Sequence, residues 1–267
     1  MLKQQELLAA LLFLLLATCP LVSLADALDD IRERGTIRVG VSRFVPLTME
    51  DTDDNLIGFE IDVANKIAED MGANAQIKVY DWEDIIAAVT QGEIDMIAAG
   101  MAITPERALR VAFSNPYSDS GITVTTNTAM TRDVQGLEDL NAKDKIITGV
   151  AETLSAQVAA GLFDQAQLQL FTTVAEAQQA VLTGKAHAYV SDVPTARFLV
   201  IEHPERVDLP LEEPLVGYRA GFAVQPGEHG LVNFLNAWIV AREADKWLST
   251  THRYWFRGLR WRQKVPQ

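Results

Sequence analysis

Hydrophobic positions along the chain change period repeatedly, and the changes divide it into short alternating elements. Leu28 and Ile31 share a helical face that Gly35 ends. Ile37-Arg38-Val39-Gly40-Val41 alternates as a strand. After a loop from Ser42 and a polar turn over Asp51–Asn55, Gly58 opens a helix. Its apolar residues Ile61, Ala64, Ile67, Ala68 and Met71 recur at helical spacing, and Gly72 closes it. Ala75 to Tyr80 reads as a second strand with Ile77 and Val79 inward, followed by a helix from Trp82-Glu83-Asp84 through Val89. Gly92 turns the chain into a third strand carrying Ile94, Met96 and Ile97. Strand–helix–strand–helix with short joints predicts an α/β lobe with a mainly parallel sheet.

The order then repeats. Ile146–Val150, Leu168–Phe171 and Ala186–Val190 read as strands. Helices are expected over Thr153–Ala160, Val174–Leu182 and from Val193-Pro194 through Arg197. Between the two sets, Gly121–Thr126 is a β-branched run, long enough to leave one lobe and enter another. Tyr218–Val224 reads as its partner, pairing with Thr123–Thr126, so that two strands form a hinge. This predicts lobe 1 over 26–124 plus 219–267 and lobe 2 over 125–218. Leu231–Val240 is an amphipathic helix. The tail beyond it, with Trp247, Trp255, Phe256 and Trp261, is read as packing back on lobe 1, with a partner-docking surface as the alternative.

Met1 to Ala25 interrupts this pattern. Lys3 precedes an almost unbroken apolar run from Leu7 to Leu16, and Ser23-Leu24-Ala25 offers a small-x-small cleavage site. The segment reads as a signal peptide, with the mature, exported, soluble chain starting at Asp26. Later apolar runs fall short of the about 18 residues a membrane span needs. Cys19, the only cysteine among 267 residues, lies inside this segment. Disulfide, thiolate and zinc–thiolate chemistry are therefore not expected. The four histidines are scattered, so no metal site or cofactor is expected either. The formal net charge of -13 argues against nucleic acid and anionic membranes as partners.

The most informative stretch runs from Gly92 to Arg107. Small residues Ala98, Ala99, Gly100 and Ala102 follow the third strand, where open α/β sheets bind ligands. Thr104-Pro105-Glu106 has the composition of a helix start, which places Arg107 in the first turn. A guanidinium there can grip a carboxylate with two parallel hydrogen bonds; a surface ion pair is the alternative.

Taken together, Gly58-Phe59-Glu60-Ile61-Asp62-Val63-Ala64, Gly92-Glu93-Ile94-Asp95 running to Ile103-Thr104-Pro105-Glu106-Arg107, Phe113-Ser114-Asn115-Pro116-Tyr117 and Asp192-Val193-Pro194 resemble the polar amino-acid-binding proteins of ATP-binding-cassette (ABC) importers. These are periplasmic solute-binding proteins of family 3, and the resemblance covers about 37–256. It implies an α/β fold of type II: two parallel-sheet lobes joined by a two-strand hinge. It also implies a monomer that carries an amino acid or similar zwitterion to an inner-membrane ABC permease, without catalytic residues.

By the same resemblance Arg107 takes the ligand's α-carboxylate and Asp192 its α-ammonium. Gly100 and Ala102 supply a backbone carbonyl and amide. Thr153, Leu154 and Ser155 form a helix N-terminus at the carboxylate. Phe44 and Trp82 are apolar walls. Helix capping is the alternative for Asp192, core packing for Phe44 and Trp82. Glu60 and Asp62 read as first-turn helix acids outside the site. Three departures stand out: Ala102 lacks the frequent hydroxyl, Ser42 lies where many members have an acid, and Glu152 stands where a glycine usually precedes the threonine. Neutral Ser42 with Phe44 and Trp82 leans toward an uncharged or apolar ligand side chain. Two rivals are a cyclohexadienyl (arogenate/prephenate) dehydratase-like enzyme and a sensor acting through a membrane receptor. In the dehydratases a glutamate three residues after the aspartate is the general acid; here that position is Thr195.

Overall fold

The computed structural model describes residues 26–265, so the predicted signal segment and Cys19 lie outside the described residues. The first half runs α1 (Ala27–Arg34), β1 (Thr36–Val41), β2 (Met49–Glu50), β3 (Leu56–Ile57), α2 (Phe59–Met71), β4 (Asn74–Val79), α3 (Ile85–Thr90), β5 (Met96–Ile97) and α4 (Pro105–Ala108). β6 (Ala112–Asn127) leads into the second half. There α5 (Leu137–Leu140), β7 (Ile146–Val150), α6 (Leu154–Leu162), β8 (Gln167–Phe171), α7 (Val174–Leu182), β9 (Ala188–Asp192), α8 (Val193–Glu202) and β10 (Val207–Asp208) follow in turn. β11 (Val216–Val224) returns, and α9 (His229–Ala244), α10 (Trp247–Phe256) and a 3-10 helix (Leu259–Lys264) complete the chain.

One sheet threads both halves in the order β4-β1-β5-β11-β6-β9-β7-β8, with β10 on β6. β4, β1 and β5 run parallel in the first half, as do β8, β7 and β9 in the second. The crossing strands β6 and β11 are antiparallel to each other and join the two sets. This is the two-lobed α/β fold of the type II binding proteins. Separate cores support it. Val39, Phe59, Ile67, Phe222 and Trp238 belong to one cluster in the first half; Ile122, Val124, Ile147 and Val190 belong to another in the second.

Two expectations about strands are corrected. β11 does not pair with Thr123–Thr126. Its register runs from Val216 opposite Ile122 to Val224 opposite Ala112, while Thr123–Thr126 pair with Ser191 to Ala188 of β9. The cause is length: β6 is one strand of 16 residues that serves two neighbours in succession. Pro116 is tolerated where the β6–β11 register shifts, beside Gly221. Val79 is not inward either; it is 38% exposed. β4 is the edge strand, so it lacks a second neighbour to cover it.

The aromatic tail packs on the first half, as its composition suggested. Trp255 and Trp261 are buried in the first half's core cluster, and the Trp255 indole N–H donates to Asp62 at 2.6 Å. Among the described residues no helix is long and apolar enough to cross a membrane.

Candidate functional site

Small residues and two helix starts build the site. Gly100 sits just past β5 at φ +63°, a conformation that glycine adopts without strain, and a Cβ there would meet the Leu47 side chain at 2.9 Å. The Gly100 N–H donates to Tyr117 Oη at 3.1 Å, and that hydroxyl donates onward to Glu60 Oε1 at 2.7 Å. Ala102 bridges to Ala220 of β11, yet its own N–H donates to nothing among the described residues. Thr104 then caps α4 by accepting from the Arg107 N–H at 3.2 Å.

The Arg107 side chain is thereby held in the interior, 8% exposed. One arm donates to the Ala102 carbonyl at 3.2 Å, the other to the Glu152 carbonyl of the second half at 3.2 Å. Its guanidinium lies 5.3 Å from the Trp82 ring centroid. Among the described residues no carboxylate forms an ion pair with it. Burial pushes the pKa of Arg107 down from its ordinary value, and nearby Glu106 opposes this only in part. A buried cation without a counter-ion is costly unless something anionic meets it.

The second half contributes from the opposite side. Thr153 caps α6 by accepting from the Ala156 N–H at 3.1 Å, so the Leu154 and Ser155 amides stand at the positive end of that helix. Glu152 takes φ +60°, and its carbonyl also accepts from the Trp82 indole N–H at 3.0 Å. Asp192 ends β9 and caps α8, with Oδ1 accepting from the Thr195 N–H at 3.0 Å. The capping reading of Asp192 is therefore correct as far as it goes. Its Oδ2 makes no hydrogen bond among the described residues, and burial pushes the carboxyl pKa up.

All nine residues singled out from the sequence come together. Phe44, Trp82, Gly100, Ala102, Arg107, Thr153, Leu154, Ser155 and Asp192 line one small cavity between the halves. Phe44 meets Trp82 edge-on at 5.3 Å and also belongs to the first-half core, so wall and core readings both hold for it. Ala99, one of the small residues after the third strand, completes the lining with Leu47, Ile122 and Tyr218, and these three were missed. Ile122 and Tyr218 lie on the crossing strands, where periodicity gave no sign of a ligand-facing side chain. Among the described residues no group of His, Cys, Asp and Glu could hold a metal ion.

The sequence profile of the bacterial extracellular solute-binding proteins, family 3, matches residues 37–258. The chain belongs to that family. It is 30% identical over 198 residues to a Sinorhizobium fredii protein named as a probable amino-acid ABC transporter periplasmic-binding protein, covering 72% of this chain and 65% of that one. It is 24% identical to an L-cystine-binding protein of Escherichia coli, over 96% of both chains. The crystal structure of an ancestral amino acid-binding protein, a precursor of cyclohexadienyl dehydratase, superposes with a TM-score of 0.80 at 32% identity, covering 87% of this chain and 100% of that one. A cyclohexadienyl dehydratase of Pseudomonas aeruginosa is 23% identical over 90% of both chains. The scaffold thus carries binding proteins and, in that relative, an enzyme.

Proposed function

We propose that this family 3 protein captures an α-amino acid, or a close zwitterion, between two lobes in the periplasm and delivers it to an ABC importer permease. One observation carries the reading: a buried guanidinium without an acidic partner and a buried aspartate line the same interlobe cavity from opposite halves. Arg107, helped by the α6 amides and the free Ala102 N–H, takes the carboxylate. Asp192, through Oδ2, takes the ammonium together with the Gly100 carbonyl. Lobe 1 spans 26–124 and 219–267, and lobe 2 spans 125–218. A zwitterion bridging them gains its second set of contacts only on closure, so it favours the closed form. The permease then reads that form.

Binding without turnover is favoured over a dehydratase. Thr195 is fully buried, and its hydroxyl donates to the Val45 carbonyl at 3.2 Å. It cannot serve as a carboxylic acid. Glu152 turns its carbonyl toward Arg107, and its side chain is absent from the cavity lining. No carboxylic acid beyond Asp192 therefore lines the cavity.

A thermal-shift screen of the mature protein against amino acids tests this. Binding raises apparent stability by mass action, and Arg107→Ala should cost about 2–5 kcal/mol of affinity, thirtyfold or more in Kd. An undiminished response in Arg107→Ala would remove Arg107 from the site. Formation of product from prephenate or arogenate by the purified protein would replace the binding reading with the enzymatic one.

A further inference from the structure

The chain continues past residue 258, where the family match ends, and the continuation touches both halves. On the lobe 1 side it is anchored firmly. The Trp261 indole is 1% exposed, and its N–H donates to the Trp255 carbonyl at 2.8 Å. The Lys264 carbonyl accepts from the Thr52 N–H at 2.9 Å. On the other side it meets α8 of lobe 2. The Trp261 ring lies 5.2 Å from Phe198, and Arg262 pairs with Glu202.

These contacts fall on one helix with a particular position. α8 is capped by Asp192, which lines the cavity, and its Thr195 already bonds the Val45 carbonyl of lobe 1. Phe198 and Glu202 follow on the same helix, each about one turn further along. Any rotation that parts the lobes at Asp192 and moves α8 as a rigid body must also pull Phe198 from Trp261 and Glu202 from Arg262.

We propose that the 3-10 tail is a clasp. Anchored to lobe 1 through Trp255 and Thr52, it grips α8 of lobe 2 through Trp261 and Arg262 and biases the molecule toward the closed form. Trp261 and Arg262 are therefore positioning residues for ligand capture, although both lie outside the cavity lining. The inference rests on the two-lobe closure reading but not on the identity of the ligand. An aromatic contact and a half-exposed ion pair of this kind shift an open–closed equilibrium by about threefold to thirtyfold.

The test is a distance measurement without ligand. The only cysteine in the sequence precedes the predicted mature start, so spin labels can be placed at Leu109→Cys and Leu162→Cys, exposed positions on the two sides of the cleft. With the native tail, the double electron–electron resonance distribution is expected to be dominated by the short, closed distance. Arg262→Glu should add a longer population. Adding Glu202→Arg to that variant should restore the short one, which a merely folded-state role for Arg262 would not do. Phe198→Ala, which leaves the lobe 1 anchor intact, should lengthen the distance independently. The clasp is overturned if the distribution in both Arg262→Glu and Phe198→Ala matches the native one, or if the charge swap fails to restore closure in a folded protein. Capture is read separately on the native protein: the absence of a thermal shift with any amino acid would overturn capture, whatever the ligand-free distances show. Failure of the clasp and failure of the capture reading are thus told apart.

Discussion

Glu152 is strained at the point where the two halves touch. Its φ of +60° suits glycine, and its carbonyl accepts from both Arg107 and Trp82. A side chain in that region costs on the order of 1 kcal/mol. Glu152→Gly should therefore raise the melting temperature of the ligand-free protein by about 2–4 °C, the equivalent of about 1 kcal/mol at this size. A lower melting temperature would mean that the Glu152 side chain contributes contacts outweighing the strain. Glu60 presents the opposite problem, a carboxyl with good geometry in the wrong medium. It is fully buried, and burial pushes its pKa up to about 7, despite hydrogen bonding that involves Tyr117 and Gly100. The ordinary value of 4.5 applies in the unfolded chain, so the folded protein binds the proton more tightly. Stability from this group is fully present below about pH 4.5 and is lost as pH rises toward 7, by about 3 kcal/mol. Glu60→Gln should flatten that part of the stability–pH curve measured by chemical denaturation; a slope equal to the native one would place the proton elsewhere. From the sequence, Glu60 was an ordinary first-turn acid. Helical periodicity cannot distinguish a solvated acid from one facing a tyrosine 57 residues away. Arg107 was legible because cap, proline and small residues all lie within a few positions of it.

At the scale of elements, most of the fold was readable because each strand and helix announces itself locally. Predicted α7 matches the observed Val174–Leu182, and α2 starts at the residue after Gly58. The pairing of β6 with β11 was not readable in register. Side-chain alternation fixes faces, but it does not say which of two neighbours a long strand meets at each point. The Gly58-Phe59-Glu60-Ile61-Asp62 signature acquires a physical meaning here. Gly58 has φ +139°, and a Cβ would stand 2.1 Å from the Leu47 carbonyl oxygen. Phe59 is buried against Tyr117 and Phe256, Glu60 takes the Tyr117 hydroxyl, and Asp62 takes Trp255. The motif is a joint between α2, the crossing strand and the tail, one layer behind the cavity. Gly58→Ala should cost at least about 2 kcal/mol in denaturant unfolding. Because Leu47 packs under Gly100, it should also weaken ligand response. A variant that keeps native stability would show that the loop at Leu47 can yield.

For the molecule as a whole, the question is whether one ligand couples both halves. The two halves touch through few polar bonds: Arg107 and Trp82 to the Glu152 carbonyl, Thr195 to Val45, Gln157 to Glu106, and the tail to α8. Relative motion is the default expectation across an inter-domain surface of this kind. A full zwitterion should meet Arg107 on one side and Asp192 on the other, while its deaminated analogue meets only the Arg107 side. At one hundred times its dissociation constant, an amino acid should add about 2.7 kcal/mol and raise the melting temperature by about 5–10 °C. The matching α-keto acid, at the same concentration, should give much less, because it lacks the charge that pulls Asp192 across. Asp192→Asn sharpens the comparison. Asparagine caps a helix as well as aspartate does, so basal stability should hold within about 0.5 kcal/mol. The advantage of the amino acid over the keto acid should disappear. Equal shifts from the two compounds in the native protein would mean that the ligand is gripped by one half alone and that closure is driven by something other than the ammonium.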